Sequence, residues 1–149
     1  MPFEDPFLGT GWSFPPAFEA ATGEVALTSG VRDIERSLEI IFTTALGERI
    51  MNPTFGCSLG DMVFEPMTTG NIAYLETLVK TAILYHEPRI DADSVAVVFD
   101  DGDGRLWINI GYTVRITNSR FNFVYPFYRI PEGRLPETPV PETPAAEAR

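Results

Sequence analysis

The sequence predicts an α+β domain: two main helices packed on a small antiparallel sheet of three to four strands, with an extended arm before it. Three observations carry this. Two segments, near residues 31–45 and 72–83, place apolar side chains at helical spacing. "RLWINIGYTVRI" alternates apolar and polar residues without a miss, as a half-buried antiparallel strand does. The strand-like segments also follow one another across short polar turns instead of alternating with helices, which separates α+β from α/β.

Residues 1–22 are too rich in proline and glycine for a helix and too aromatic for a free tail, so "GTGWSFPPAF" reads as an extended docking arm. Residues 23–130 form the domain. A short strand is expected at about Glu24 to Thr28. The first helix should start near Ser29, bury Val31, Ile34, Leu38, Ile41 and Ala45, and stop at Gly47. Asp33 and Glu35 in its first turns suit the positive end of the helix dipole. From Glu48 to Gly70 prolines and glycines predict a long loop, with a one-turn helix around Leu59 to Phe64 hiding its apolar residues.

The second helix is expected from about Asn71 to His86, with Ile72, Leu75, Leu78 or Val79, Ala82 and Ile83 as its buried stripe. Pro88 disfavours helical geometry at Glu87 and fixes the end. Three strands follow: "SVAVVFD", then "RLWINIGYTVRI", then "FNFVYPFYRI" after the turn "TNSR". Pro126 offers no amide hydrogen, so the last strand is at a sheet edge or reaches one near its end. Residues 131–149 repeat Pro-Glu-Thr-Pro and read as a disordered extension.

Composition narrows the function. The chain of 149 residues carries a formal charge of −10, with 11 Lys and Arg against 21 Asp and Glu. That balance is a poor counterion for phosphate and argues against nucleic acid as a partner. The single Cys57 and single His86 make neither a disulfide nor a zinc site, so folding in a reducing compartment is expected, with no metal and no cofactor. No apolar run is long enough to span a membrane, and acids stand where a signal peptide would be basic.

Catalytic motifs are missing: there is no phosphate-cradling glycine loop and no nucleophile elbow. Asp101 and Asp103 have the spacing of the first two calcium-loop ligands, but Arg105 and Tyr112 stand where further ligands belong, leaving a polar hairpin turn. Glu48, Glu65 and Glu87 are acids near loops or helix ends; caps and salt bridges account for them without catalysis. His86, at a helix C-terminus, suits the negative end of the dipole.

Glu87 does not suit it, and something must compensate the carboxylate. In an extended segment Glu87 and Arg89 point to opposite sides, so each is free to take a different partner. Either the pair locks the helix end to the loop after Gly47, for instance through Arg49, or it projects towards another subunit. Both readings stand at this level.

The ordered motifs "SLEIIFTTALGERIMNPTFGCSL", "FEP", "AILYHEPRI" and "NSRFNFVYPFY" resemble a family of contractile-tail baseplate proteins. It includes the sheath initiator of phage tails and the TssE subunit of type VI secretion, and it has carried a tail-lysozyme label. The "GWSFPPAF" arm is most similar to versions from extracellular contractile injection systems. The resemblance covers about residues 8–128. It implies a baseplate wedge protein, assembled in the cytoplasm into a phage tail-like particle and present in several copies in a ring. Wedge proteins, sheath subunits and the inner tube or hub are the implied partners, and the first sheath ring would be templated by strand addition. The implied contact residues are Glu87, Pro88 and Arg89 at the corner, Trp12 and Phe14 on the arm, and Phe121, Phe123, Tyr125 and Phe127 on the last strand. The expectation is a structural protein. A peptidoglycan hydrolase using Glu87 or Glu65 as general acid is the alternative.

Overall fold

The computed structural model describes residues 8–100 and 104–128. The first seven residues, the calcium-like Asp101 and Asp103, and the Pro-Glu-Thr-Pro extension therefore lie outside the described residues. The chain runs β1 (Thr10–Trp12), β2 (Leu27–Ser29), α1 (Gly30–Thr43), a 3-10 helix (Gly60–Phe64), α2 (Thr69–His86), β3 (Ile90–Asp100), β4 (Arg105–Val114) and β5 (Ser119–Tyr128). β1 and β2 pair antiparallel as a small separate sheet, and β3, β4 and β5 form an antiparallel sheet in sequence order. The α+β class with two helices on a three-stranded sheet is the one the sequence predicts.

The core lies where both helices cover one face of the large sheet. Leu106, Ile108, Ile110, Tyr112 and Val114 all point into it from β4 and are buried. Cross-strand partners on the same face come from β3 (Val95, Val97, Phe99) and β5 (Phe123, Tyr125, Phe127). Ile34, Leu38, Ile41 and Phe42 close the core from α1, and Leu75, Val79, Ala82 and Ile83 from α2. Burying a large aliphatic side chain of this kind contributes about 1.5–3 kcal/mol. Thr68 caps α2 by accepting from the Asn71 amide at 3.3 Å.

Several elements differ from the sequence expectation. β4 ends at Val114 where the chain turns towards β5, so Ile116 lies beyond the strand and is exposed. α1 ends at Thr43, so Gly47 is not its stop and Ala45 is exposed. The Thr44 carbonyl instead accepts from the Cys57 amide at 2.9 Å, which draws the chain off the helix axis before Gly47 is reached. β3 starts at Ile90, four residues earlier than Ser94, because a bulge between Ala92 and Ser94 shifts the inward set from Ile90 and Ala92 to Val95, Val97 and Phe99. A change of phase hides a strand from any search for strict alternation. The strand expected from Glu24 lies at Leu27–Ser29, with only an isolated Phe18–Val25 bridge before it.

Two buried groups carry a pH dependence. Burial pushes the Cys57 thiol up to about 11 from 9.0, and burial, with the charges of Glu35 and Glu87 behind it, pushes the Tyr112 hydroxyl up to about 12 from 10.0. Both are neutral in either state below their unfolded values. Above those values the unfolded chain ionises first, so stability is lost as pH rises through the folded values. Melting temperature should hold steady up to the ordinary thiol value near 9.0 and then fall. Native Cys57 should also resist thiol reagents that label it in denaturant, since the thiolate is the reactive form.

Candidate functional site

α2 ends where the Glu87 amide donates to the Ile83 carbonyl at 2.9 Å. Glu87 has left the helix (φ −129, ψ 79), and Pro88 and Arg89 form a turn, not an extended segment. That geometry corrects the expectation that Glu87 and Arg89 point apart: the turn folds Arg89 back onto Glu87 as a two-pronged pair. Arg89 Nε reaches Glu87 Oε1 at 2.6 Å and Nη2 reaches Oε2 at 2.8 Å. A planar guanidinium matches a carboxylate in this way and a lysine would not.

The remaining nitrogen extends the network. Arg89 Nη1 donates to Asp33 Oδ2 on α1 at 2.7 Å and to the Leu8 carbonyl at the start of the arm at 2.8 Å. Asp33 in turn accepts from the Thr28 hydroxyl at 3.1 Å. One guanidinium thus joins the arm, β2, α1 and the end of α2. Glu87 is only 2% exposed while Arg89 keeps a quarter of its side chain in solvent. The hydrogen bonds it donates to Glu87 hold Arg89 protonated far above its ordinary range, against the opposing effect of burial. This is how a carboxylate comes to sit at the negative end of a helix: a fixed cation compensates the dipole.

Asp33, Thr28 and Leu8 were not singled out by the sequence. Asp33 reads as an ordinary dipole-complementing acid, and only the packing of α1 beside the end of α2 gives it a partner. Gly11 is the nearest thing to a signal, since a Cβ there would press on Asp33 Oδ1 at 2.5 Å. Arg49, a suggested partner of the corner, lies elsewhere: its guanidinium sits 4.0 Å over the Phe55 ring, which packs on His86 at 4.9 Å. That stack ties the long loop to the last turn of α2.

The arm presents its aromatics outward. Trp12 is 63% exposed and edge-on to Phe18, itself well exposed, and Phe14, two residues on from Trp12, is exposed as well. On β5 Phe123, Tyr125 and Phe127 face the core instead, while Phe121 stays exposed. Tyr125 packs on Phe42 at 5.3 Å, Phe121 on Tyr112 at 5.9 Å, and Phe123 and Phe127 are half-buried. Phe64, expected to be hidden by the one-turn helix, is instead 84% exposed because it closes the 3-10 helix on its outer side, and Ile50 and Met51 in the long loop and Tyr74, Leu84 and Tyr85 on α2 are also open to solvent. Their signal was present, because α2 is apolar on nearly every side, as a helix covered on both faces is.

Chemistry is poorly served by this arrangement. Both oxygens of Glu87 are taken by Arg89, which leaves none to protonate a leaving group. Glu48 accepts from the Ala45 amide at 2.9 Å as a local cap, and Glu65 is exposed beyond the 3-10 helix. Among the described residues no group of His, Cys, Asp and Glu side chains could hold a metal, and no helix is long and apolar enough to cross a membrane.

The family model described as baseplate wedge protein gp25 matches residues 28–119, which span α1, the corner and the sheet as far as the start of β5. The chain belongs to the gp25 baseplate wedge family. It is a structural component of the kind found in contractile-tail baseplates. It is 37% identical to baseplate wedge protein gp25 of Enterobacteria phage T4 over 91 residues, 61% of this chain and 69% of that one. Among solved structures it is similar to a Geobacter sulfurreducens protein provisionally described as a tail lysozyme, at 45% identity and a TM-score of 0.65, covering 72% of this chain and 97% of that one. It is also similar to a chain of the anti-feeding prophage baseplate, at 29% identity and a TM-score of 0.62, covering 85% of this chain and 90% of that one. These gp25-like relatives bear out the resemblance read from the motifs, including its leaning towards injection-system baseplates.

Proposed function

We propose that this gp25-like chain docks in the wedge through its arm and its Glu-Pro-Arg corner, and that its sheet templates the first sheath ring by accepting a strand. The observation that carries the reading is the three-stranded sheet, which ends in β3 on one side and β5 on the other, with no described strand beyond either. An open edge takes a foreign strand by main-chain hydrogen bonds, and alternate side chains set the register. The exposed Trp12 and Phe18, edge to face on the arm, suit a contact with a neighbour, since grouped apolar side chains of this size mark interaction surfaces. Within this reading Glu87 does not touch a neighbour. It holds Arg89 so that the arm leaves the body at a fixed angle, and Pro88 with the open part of Arg89 forms the contact. The neighbours would be wedge proteins, sheath subunits and the inner tube or hub, around a ring of copies in a particle released from the cell.

Trp12→Ala with Phe14→Ala is the direct test. Both side chains are exposed, so the melting temperature should stay within a few degrees of wild type, as surface changes usually cost under about 0.5 kcal/mol. The variant should be depleted from purified baseplates while remaining abundant as free protein. Full incorporation would remove the arm from the docking surface. The Geobacter sulfurreducens relative's description keeps a hydrolase reading open to one measurement: cell-wall turnover by purified protein, lost in Glu65→Gln at unchanged stability.

A further inference from the structure

Two edges of the large sheet could accept a strand, and one hydrogen bond distinguishes them. The Val97 amide on β3 does not face β4. It donates sideways to Glu76 Oε1, a side chain of α2, at 3.2 Å. In an antiparallel strand the N–H and C=O of one residue point the same way and the next residue points oppositely. Val95, Val97 and Phe99 therefore turn their backbone groups to the outer side of β3, while Ala96 and Val98 bond to β4.

The same alternation carries across the sheet through the register. Val97 pairs with Ile108 and Ile108 with Tyr125. Since Val97 turns away from Ile108, Ile108 must bond to β5, so Tyr125 faces β4 and Val124 and Pro126 face outward. Proline supplies no donor, so the outer side of β5 is interrupted at Pro126. The outer side of β3 has no such gap. Beside its first residues lies a groove of about 330 Å³, bounded by Thr77, Lys80, Thr81, Ile83 and Leu84 of α2 and by Ile90, Asp91 and Ala92 of β3. Inward-facing side chains of an added strand would enter that groove under the helix.

Resting on the strand-addition reading, we infer that β3 is the accepting edge and that Glu76 is its placeholder. The occupant is an extended segment of another chain carrying a basic side chain next to Glu76. Glu76 keeps the Val97 donor satisfied while the edge is empty, which blunts pairing between free copies of the protein. When the strand arrives, a backbone carbonyl replaces Glu76 on the Val97 amide. The released carboxylate then faces the incoming strand, where a lysine or arginine adds a donor to the one Lys80 offers a helical turn away. A chain of net charge −10 favours a basic visitor for the same reason.

Two proline substitutions in the full chain, introduced into producing cells, test the edge. Val97→Pro and Val124→Pro each remove an outward amide and leave the bonds to β4 intact, so both should fold; Val95→Pro replaces the first if its melting curve is lost. The expected result is that Val97→Pro lowers the fraction of sheathed particles by about tenfold or more while Val124→Pro does not. The reverse pattern, or loss in both, would overturn the assignment to β3 and leave strand addition standing. Sheathing unaffected in both would overturn the assignment and the strand-addition reading together. For Glu76, amide exchange at Val97 should quicken about tenfold in Glu76→Ala, and unchanged exchange would remove its placeholder role. Glu76→Gln keeps an acceptor and drops the charge, and Glu76→Lys reverses it. Both should reduce sheathing, Lys more severely, and normal sheathing in both would overturn the basic occupant.

Discussion

Arg89→Ala should lower stability by about 3–5 kcal/mol, the usual consequence of leaving one member of a buried ion pair without its partner. Glu87 would remain buried at 2% exposure with neither of its oxygens bonded, and Asp33 and the Leu8 carbonyl would lose the same donor. For a domain of this size the melting temperature should drop by roughly 10–20 °C. The arm should loosen with it, because the Leu8 bond fixes its first described residue, and limited proteolysis between Gly9 and Ala26 should become faster. Arg89→Lys should recover only part, since one ammonium cannot serve both carboxylates and the carbonyl in the planar pattern seen here. Glu87→Leu combined with Arg89→Met should be less damaging than Arg89→Ala alone, because it removes the stranded charge along with its partner. Thermal melts of the three variants decide the matter. If Arg89→Ala melts like wild type yet is missing from baseplates, the guanidinium serves a neighbour and the internal network has little weight. If incorporation returns whenever the protein is kept cold enough to fold, the corner is mainly an internal staple.

Gly56→Ala should be of similar size, about 3 kcal/mol or more, from two effects that add. Gly56 has φ +121, a backbone conformation that side chains rarely adopt, at a cost of about 1–3 kcal/mol. Its Cβ would also land on the Thr44 carbonyl oxygen, within contact distance of the Thr44 carbonyl carbon at 3.0 Å and the Ala45 oxygen at 3.2 Å. These are backbone atoms at the end of α1 and cannot rotate aside. Relief requires the Cys57 to Thr44 hydrogen bond to lengthen, and Cys57 is buried in the core beside it. Denaturant midpoints should fall, and Cys57 should become open to thiol reagents in the native state. Gly60→Ala is the control, since nothing stands near its Cβ.

These two residues also show how much of the site was legible. Glu87 stands out in the sequence because a carboxylate at a helix C-terminus needs a cation, but that reasoning set Arg89 aside and offered Arg49, which lies over Phe55. It failed on direction, since it took residues 87–89 as extended when Pro88 begins a turn. Asp33 could not be found, because an acid in the first turn of a helix is ordinary until another helix end is packed beside it. Gly56 lies in "NPTFGCSL", whose glycine reads as loop punctuation; its necessity arises only when the end of α1 closes on it.

The sequence by itself determined the elements whose pattern is local and periodic. β4 alternates without a break, the stripes of α1 and α2 recur at helical spacing, and Pro126 demanded an edge; each follows from nearest-neighbour geometry. The tertiary structure decided whatever depends on groups far apart in the chain. It brought Leu8, Asp33 and Arg89 within hydrogen-bond reach, moved the end of α1 ahead of Gly47 through Cys57, and turned the Val97 amide to Glu76. The physical reason is the same in each case: a buried polar group must find a partner, and which partner is near is set by packing, not by spacing along the chain.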